Sequence, residues 1–376
     1  MKIGLDVSQT CVEIAGCGWI AHELAKVMTA FANPDRELIL YHHFGSWINT
    51  HTESGFKSDN KYVHSPLLKT TPDWARLIWH NIENGESELP GAPDIVHSHN
   101  FSSPDTGKTP LVLTVHDLAF WDLPETTTET NRLICQDGIL QALENADAFV
   151  FPSRFTQSRF LDFFEDSLVK NKQLHTVIPW AGRFPSVDQP KSFSLQAPWL
   201  FVGSLDPRKN IHNMLQAFEK YWEKSSQHRN LLIAGPNGWK SDDEVAHIKS
   251  LTRRGWAKHL GYLEDETLMK LYRDAFALVW PSHYEGFGLP VVESMSQGTP
   301  VITSHQTSLA EVGGAAAIYC DPDSIESIAD AMLRFEENEA HYSVLSRDSL
   351  QQAEKFSWEK TALDLLDFYQ KILSSH

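Results

Sequence analysis

The chain has 376 residues, which is enough for two domains of ordinary size. Hydrophobic residues make up 41% and charged residues 22%, as in a soluble globular protein, and no apolar run approaches the ~20 residues of a membrane-spanning helix. The net charge of −17 argues against nucleic acid as a partner, because proteins that bind it are usually basic.

Short apolar strands alternate with helical patterns from the N-terminus onward. The first strand, Lys2–Val7, contains Asp6 and no long apolar run follows it, which predicts a strand instead of a signal peptide and hence a cytoplasmic protein. Further strands are predicted in the first half at Glu37–His42, Asp94–His97, Leu111–Val115, Ala148–Pro152 and His175–Pro179, with helices at Trp19–Ala32 and Asn131–Glu144.

The second half repeats this alternation. Its predicted strands are Trp199–Gly203, Asn230–Ala234, Ala277–Trp280, Pro300–Thr303 and Ala316–Cys320. Its predicted helices are Ile211–Lys224, Asp243–Arg254, Glu266–Asp274, Leu289–Ser296, Ser324–Asn338 and the amphipathic Trp358–Leu373. Such alternation predicts an α/β fold with parallel sheets covered on both faces.

A stretch with three prolines and no clear period, residues 180–198, separates the two halves. We therefore expect two Rossmann-like domains, residues 1–181 and 182–357, with the terminal helix over 358–376 joining the first. Ligands of such sheets bind beyond the carboxyl ends of the strands, so two facing domains would form a cleft. Polar residues that directly follow strands are the candidates for function.

Cations and tryptophans lie close together between residues 57 and 79. This group consists of Lys57, Lys61, Lys69 and Arg76 with Trp74 and Trp79. Two interpretations stay open: a face that touches a membrane surface or an acceptor, and a helix whose tryptophans pack on the core.

The stretch from Val279 to Glu293 carries the richest pattern, because a strand, a loop with two glycines and a helix follow one another. Loop glycines let a ligand approach the backbone, and free amides at a helix start favour an anion such as phosphate. Glu285 and Glu293 lie eight positions apart, about 12 Å at the helical rise, so they suit two parts of one long ligand better than a carboxylate dyad. The alternative is a loop acid and a helix acid with no shared role.

Arg208 and Lys209 follow the first strand of the second half, after Gly203, and precede a helix. Two adjacent cations at that sheet edge suit a diphosphate leaving group. A solvated basic pair is the alternative, but cations near a helix start are slightly unfavourable, which favours a functional interpretation.

His116 and Asp117 come directly after the apolar strand Leu111–Val115, where Asp117 could orient or polarise the imidazole. Gly16-Cys17-Gly18 superficially matches a dinucleotide-binding fingerprint, but the glycines start eight residues after the strand and Glu37 precedes the second strand. NAD binding is therefore not expected, although this loop can still face an anion or a sugar.

No metal or other cofactor is expected. Asp321-Pro322-Asp323 resembles a metal-binding Asp-x-Asp, but its place between a strand and a helix is typical of turns and caps. The four cysteines, Cys11, Cys17, Cys135 and Cys320, show no CxxC spacing, which predicts reduced thiols and no zinc site.

Taken together, these motifs resemble the retaining GT-B glycosyltransferases of family 4, the glycosyl transferases group 1. The glycine loop at 16–18, His116-Asp117, Pro207-Arg208-Lys209-Asn210 and the Glu285-x7-Glu293 element stand in the family's order. The segments from Gly261 to Pro290 and Ser308 to Val312 are especially specific, and the combination is most similar to bacterial mannosyl- and glucosyltransferases of polysaccharide assembly.

The resemblance implies roles for individual residues. Arg208 and Lys209 would hold the donor diphosphate, Glu293 the ribose hydroxyls, and Glu285 and His116 would lie at the transferred sugar. The other implied donor contacts are Gly16, Gly18, Gly203, Tyr262, Leu263, Phe287, Gly288 and Leu289, with the backbone near Tyr262 reading the base. Trp19 departs from the family, where many relatives have a basic residue after the glycines.

The implied activity is transfer of a hexose, with mannose from GDP-mannose favoured, to a glycan or lipid-linked acceptor, and it includes peripheral contact at the inner membrane. A UDP-hexose donor, a sugar-nucleotide epimerase and a non-catalytic sugar-nucleotide-binding module remain alternatives. A phosphorylase would need a pyridoxal lysine site, for which the sequence has no specific signal.

Overall fold

The computed structural model describes residues 1–12, 16–336 and 339–375, and the chain divides into two compact units. The first unit comprises Met1–Trp121, Glu129–Trp180 and the C-terminal segment from Trp358. The second comprises Ala181–Ser357 and one short separate segment, Asp122–Thr128. The division falls between Trp180 and Ala181, at the start of the proline-containing stretch.

The first unit is built on a seven-stranded sheet whose strand pairings are parallel. Its strands are β1 (Lys2–Asp6), β2 (Glu37–Tyr41), β3 (Val63–His64), β4 (Ile95–Ser98), β5 (Leu111–Thr114), β6 (Ala148–Phe151) and β7 (Leu174–Val177). They lie in the order β3-β2-β1-β4-β5-β6-β7. The helices of this part are α1 (Cys17–Ala30), α2 (Pro72–Glu83), α3 (Ala119–Asp122), α4 (Glu129–Asn145) and α5 (Arg154–Asn171).

The second unit repeats the arrangement with a six-stranded parallel sheet. Its strands are β8 (Trp199–Val202), β9 (Leu231–Ala234), β10 (Ala257–Gly261), β11 (Ala277–Trp280), β12 (Val301–Ser304) and β13 (Ala317–Cys320), in the order β10-β9-β8-β11-β12-β13. Its helices are α6 (Ile211–Lys224), α7 (Asp242–Arg253), α8 (Asp265–Asp274), α9 (Leu289–Ser296), α10 (Leu309–Gly313), α11 (Ile325–Glu336) and α12 (Glu339–Ala353).

The central strands are buried on both faces, which explains their continuous apolar sequences. All four residues of β5 and all four of β6 are buried, and Phe149 and Phe151 of β6 pack against Phe160 of α5 with ring centroids 4.9 and 5.1 Å away. Each such side chain contributes about 1.5–3 kcal/mol on burial. This packing holds the strand ends, and therefore the loops after them, in fixed positions.

The last helix, α13 (Trp358–Ser375), belongs to the first unit. Leu365, Tyr369 and Ile372 lie on one buried face of it, and the Tyr369 hydroxyl is 2.5 Å from Nδ1 of His97 in β4. Thr361 donates a hydrogen bond to the carbonyl of Pro179 at 2.7 Å. The helix thus packs on a sheet whose strands precede it by about 180 residues or more.

Most predicted elements are present with ends shifted by one or two residues, and the α/β fold with two parallel sheets is confirmed. Strands β3 and β10 were not predicted. β3 has only two residues, and β10 is an edge strand in which Lys258 is exposed, so neither shows a buried apolar run. Helices α3, α5, α10 and α12 were also not predicted, and Asn338, the predicted end of α11, lies outside the described residues.

Of the two tryptophans near the early cations, Trp79 is buried and Trp74 is 63% exposed. Trp79 packs on Phe44 with ring centroids 4.9 Å apart, and its Nε1 donates to the carbonyl of His43 at 3.1 Å. The packing interpretation therefore holds for Trp79. Within the described residues, no helix is long and apolar enough to cross a bilayer.

Candidate functional site

The second sheet changes direction between β8 and β11, since the strands continue outward from this pair on either side. Ligands of open parallel sheets bind outside the carboxyl ends of the strands at such a switch point. Gly203 and the Arg208-Lys209 pair follow β8, and Glu285 follows β11. The topology therefore brings together candidate residues that are 76 or more positions apart in sequence.

Arg208 and Lys209 both contact the carboxylate of Glu285. Nη1 of Arg208 lies 2.9 Å from Oε2, and Nζ of Lys209 lies 3.2 Å from Oε1. Ser282 donates to Oε1 at 2.8 Å. The side chain of Glu285 is only 9% exposed, whereas those of Arg208 and Lys209 are 22% and 14% exposed, so the cations retain the greater access to solvent.

The two cations decide the charge of Glu285. Burial alone would raise the pKa of this carboxyl group, but Arg208 and Lys209 outweigh that effect and hold its pKa below the ordinary value. Glu285 is therefore ionised at neutral pH, and it fixes the positions of both cations. Two fixed cations beside one carboxylate form a site with net positive charge, which suits an anionic ligand of two phosphates.

Gly203 is required beside this cluster for two reasons. Its φ of +147° is a conformation that residues with a side chain rarely adopt, and an added Cβ would lie 2.9 Å from Cδ of Lys209. The ammonium group of Lys209 also lies 4.8 Å from the ring centroid of Trp280, a cation–π distance. Gly203 and Trp280 thus restrict where the Lys209 side chain can lie.

The loop after β11 leads directly into α9. Gly288 has φ of +110°, and a Cβ there would lie 2.7 Å from Cδ2 of Leu309. The Ser308 hydroxyl lies 2.7 Å from the carbonyl of Glu285 and 2.9 Å from that of Phe287, which holds the loop. Leu289 is the first residue of α9, so the predicted amide positions 287–289 do lie at a helix start.

Glu293 is the fifth residue of α9, past its first turn, and its contacts differ from those of Glu285. Nε of Arg183 lies 2.6 Å from Oε1, and Nη2 lies 3.2 Å from Oε2, a bidentate ion pair. The Tyr272 hydroxyl donates to Oε2 at 3.0 Å, and Nη1 of Arg183 reaches Asp265 at 2.9 Å. The two glutamates therefore have separate cationic partners and form no carboxylate dyad, as their spacing predicted.

The remaining predicted donor contacts of the second unit, Tyr262 and Leu263, follow β10, the edge strand of the same sheet. Tyr262 is 50% exposed. It lies at the carboxyl edge that also carries the residues after β8 and β11, because all strands of this sheet are parallel.

In the first unit, His116 follows β5, but Asp117 does not hydrogen-bond to it. Nε2 of His116 lies 2.8 Å from the carbonyl of His99, while Oδ1 of Asp117 accepts from the amide of Ala119 at 3.0 Å. The prediction that Asp117 orients the imidazole is wrong in this respect, because the short loop turns the carboxylate toward the next helix. Burial lowers the pKa of His116 despite a Coulombic contribution from Asp117, so the ring is neutral at pH 7.

Gly16 and Gly18 lie at the start of α1, not in a tight turn after β1. Gly16 precedes the helix with φ of +45°, and Gly18 is already inside it and buried. Ala15, the residue before these glycines, lies outside the described residues.

Asp321 and Asp323 form the predicted turn, in which Oδ1 of Asp321 accepts from the amide of Asp323 at 3.0 Å. Asn210 donates to the carbonyl of Pro322 at 2.7 Å and to that of Pro281 at 2.9 Å, which ties this turn to the Arg208-Lys209 loop. Across residues 1–12, 16–336 and 339–375, no group of three or more His, Cys, Asp and Glu is arranged to hold a metal ion.

Sequence reasoning missed Arg183 and Tyr272, the partners of Glu293, and Ser282, which donates to Glu285. Arg183 lies in the proline-containing stretch without any period, and Tyr272 belongs to α8, where an aromatic residue at helical spacing indicates core packing. Ser282 could have been proposed from the sequence, because it stands two residues after β11.

Comparisons with known proteins identify the family of this chain. Residues 189–353 match the family described as Glycosyl transferases group 1. The chain is 30% identical to the O-antigen chain mannosyltransferase B of Escherichia coli, over 98% of this chain and 100% of that protein. It is 26% identical to a D-inositol 3-phosphate glycosyltransferase of a Nocardioides species, over 75% of this chain and 68% of that protein. The solved structure of sucrose-phosphate synthase from Thermosynechococcus elongatus aligns over 100% of both chains with a TM-score of 0.71 at 18% identity.

Proposed function

Because this chain belongs to the glycosyl transferases group 1 and is a hexosyltransferase with the GT-B fold, we propose that it transfers mannose from GDP-mannose to a glycan or lipid-linked acceptor during assembly of a bacterial cell-surface polysaccharide. The proposal includes retention of the anomeric configuration. Similarity along the whole chain to an O-antigen mannosyltransferase supports the sugar and the pathway class.

The arrangement of Arg208, Lys209 and Glu285 carries the proposal. A diphosphate brings negative charge to a place where two cations are already fixed within 3.2 Å of a buried carboxylate. As the bond to the sugar breaks, charge develops on the leaving diphosphate, and cations that need no reorganisation stabilise it. Loss of one such contact commonly lowers turnover by about 10²–10³-fold.

Glu293 is proposed to accept hydrogen bonds from the ribose hydroxyls. Arg183 and Tyr272 account for three contacts to its carboxylate, which leaves acceptor capacity on a group that has about four lone-pair sites. Glu285 is proposed to lie near the transferred sugar. Its contacts with two cations make it a poor nucleophile, which supports front-face attack in which the leaving diphosphate takes the acceptor proton.

The proposal includes no metal cofactor, because Arg208 and Lys209 can supply the positive charge that a metal would otherwise give the diphosphate. The contact of His116 with the sugar and peripheral contact with the inner membrane face remain part of the proposal. The exposed Trp74, two residues from Arg76, supports the membrane contact.

Thermal unfolding in the presence of GDP, UDP, ADP and their sugars tests the donor. A ligand that binds only the folded protein at about 100 times its Kd stabilises it by about 2.7 kcal/mol. We expect GDP-mannose to raise the melting temperature most. A larger increase with a UDP-sugar would instead indicate a UDP-hexose donor. Formation of a new sugar nucleotide without acceptor would indicate an epimerase.

The variant Arg208→Ala with Lys209→Ala tests the site. We expect turnover to fall by about two or more orders of magnitude. This variant leaves the carboxylate of Glu285 buried without its cations, which could by itself destabilise the protein. A second variant that adds Glu285→Gln removes this unpaired charge. Lys220→Ala with Lys224→Ala, which removes two cations from exposed ion pairs of α6, is the matched control. Normal turnover in the site variants would refute the assignment.

A further inference from the structure

The segment that begins just after the division between the units lies along α9. We call residues 182–187 the connecting segment. The amide of Val187 donates to the carbonyl of Ser296 at 2.9 Å, which ties the end of this segment to the end of the helix. At its start, a Cβ added to Gly182 would lie 3.3 Å from Cγ of Glu293. The backbone of the connecting segment therefore passes directly beside the second of the two glutamates.

Arg183 of the connecting segment uses all of its guanidinium nitrogens. Nε lies 2.6 Å from Oε1 of Glu293, Nη2 lies 3.2 Å from Oε2, and Nη1 lies 2.9 Å from Oδ1 of Asp265. The next residue, Phe184, packs on Tyr272 with ring centroids 6.0 Å apart. Because the guanidinium group is planar and rigid, three contacts of this kind fix its orientation as well as its place.

The contacts of Glu293 concentrate on one of its two oxygens. Among the described residues, Nη2 of Arg183 and the Tyr272 hydroxyl both contact Oε2, whereas Nε of Arg183 alone contacts Oε1. A carboxylate oxygen has about two acceptor positions, so the remaining acceptor capacity lies at Oε1. The side chain of Glu293 is 1% exposed, and its carboxylate is therefore oriented by these partners and not by solvent. The place where Glu293 can accept a further hydrogen bond is thus set by Arg183.

The same contacts reach the loop that follows β10. Asp265, the third partner group of Arg183, is the first residue of α8 and stands three residues after Tyr262. In the proposed function, the backbone near Tyr262 reads the base and Glu293 holds the ribose. Arg183 thus connects the two places that would hold the nucleoside part of the donor.

Another buried ion pair of the second unit shows what a purely structural pair looks like. Nε of Arg229 lies 3.2 Å from Oε1 of Glu336, with side chains 0% and 7% exposed. The Tyr221 hydroxyl also donates to Oε1, and Ser225 donates to Oε2 at 2.6 Å. Arg229 precedes β9 and so lies at the amino edge of the sheet, whereas ligands bind at the carboxyl edge. The pair of Arg183 and Glu293 differs because α9 begins at that carboxyl edge.

We propose that Arg183 is a positioning residue for the donor: it orients Glu293 so that Oε1 accepts a hydrogen bond from a ribose hydroxyl. The connecting segment thereby takes part in nucleotide recognition. This inference rests on the proposed function for the ribose contact of Glu293. A lysine in place of Arg183 keeps the positive charge but has no planar fork, so it cannot hold the carboxylate in one orientation.

Calorimetric titration of the full chain with matched nucleotides tests the inference. GDP is compared with 2′,3′-dideoxy-GDP, and UDP with 2′,3′-dideoxy-UDP. For the wild type, we expect the ribose form of at least one pair to bind about tenfold or more tightly than its dideoxy form, as a hydrogen bond to a charged group would give. The readout is this ratio of affinities, because a general loss of stability weakens both forms alike.

Two variants and their matched controls locate the effect. Arg183→Lys should lower the ratio to below about threefold, while Arg229→Lys, the same change in the structural pair, should keep the wild-type ratio. Tyr272→Phe removes the other donor to Glu293 without removing a charge, and it should lower the ratio by at least about twofold. Tyr342→Phe is its control, since that buried hydroxyl donates to the carbonyl of Phe276 instead.

The outcomes separate the inference from the proposed function. A wild-type ratio in both Arg183→Lys and Tyr272→Phe would overturn the inference alone, and so would an equal decrease in Arg229→Lys. Equal binding of the ribose and dideoxy forms by the wild type would refute the ribose contact of Glu293, and the inference would fail with it. Absence of binding by any of the four nucleotides would refute the proposed donor class itself.

Discussion

Replacing Arg183 by Met should destabilise the second unit strongly, although this residue lies in an irregular segment just after the division between the units. The guanidinium group forms a bidentate pair with Glu293, whose side chain is 1% exposed, and is itself 12% exposed. Burial opposes the charge on Arg183, yet the attraction of Glu293 raises the pKa of this guanidinium above its ordinary value. Without Arg183, the carboxylate would stay buried with only Tyr272 as a close partner.

The magnitude follows from the burial of the pair. Breaking a buried ion pair by removing one partner costs about 3–5 kcal/mol. Because the Tyr272 hydroxyl still donates to Oε2, we expect about 3 kcal/mol. For a unit of roughly 150–250 residues, 1 kcal/mol lowers the melting temperature by about 2–4 °C, so the expected decrease is about 6–12 °C.

Differential scanning calorimetry of three variants measures this effect. Asp265→Asn removes the other partner of Arg183, whose side chain is 43% exposed, and should cost less than about 1 kcal/mol. Arg183→Met combined with Glu293→Met removes both charges and should recover most of the loss, since no unpaired charge remains. A decrease below about 2 °C in Arg183→Met, or a double variant as unstable as the sum of both single variants, would refute the reasoning.

Two further predictions concern the stability of each unit. Burial raises the pKa of Asp6 to about 6 from 3.8, so the unfolded chain releases this proton first and stability falls between pH 4 and 6 as the pH rises. Asp6→Asn should therefore be more stable than the wild type by about 3 kcal/mol above pH 6 and by little at pH 4, measured by urea unfolding, and a difference independent of pH would contradict this. Gly235→Ala should cost more than about 3 kcal/mol, since its φ is +141° and the new Cβ would lie 2.1 Å from the carbonyl oxygen of Gly203. Gly85→Ala, with φ of +70° and no atom within 4 Å, should cost only about 1 kcal/mol, and similar melting temperatures for the two variants would count against the clash.

The sequence predicts those parts of the fold and site that follow from local pattern. Leu111–Val115 is an apolar run because its strand is buried on both faces. In the edge strand β10, the exposed Lys258 interrupts the apolar pattern that would have predicted a strand. Arg208 and Glu285 could be selected because each directly follows a predicted strand. Their ion pair could not be predicted, since it joins residues 77 positions apart and depends on the order of strands in the sheet.

His99 and Asn100, which directly follow β4, show where the rule about residues after strands was applied too narrowly. The fourth strand was predicted to end at His97, one residue early, so His99 and Asn100 were not considered as residues that follow a strand. Arg183 is different, because no periodicity in its segment indicates which way its side chain points. Only tertiary packing, which brings Gly182 against α9, directs Arg183 toward Glu293.

The membership of α13 in the first unit has a consequence for synthesis of the protein. The strands of the first unit leave the ribosome before Ala181–Ser357, but the helix that packs on His97 and Pro179 is translated after that segment. At ~5–20 residues per second, the intervening part of the chain takes roughly 10–40 s to make. During that time Ala181–Ser357 can fold as a contiguous unit, while the face of the first sheet later covered by Tyr369 stays exposed. The first unit is thus begun before the second unit is made and completed only after it, which prolongs the exposure of an apolar face during synthesis.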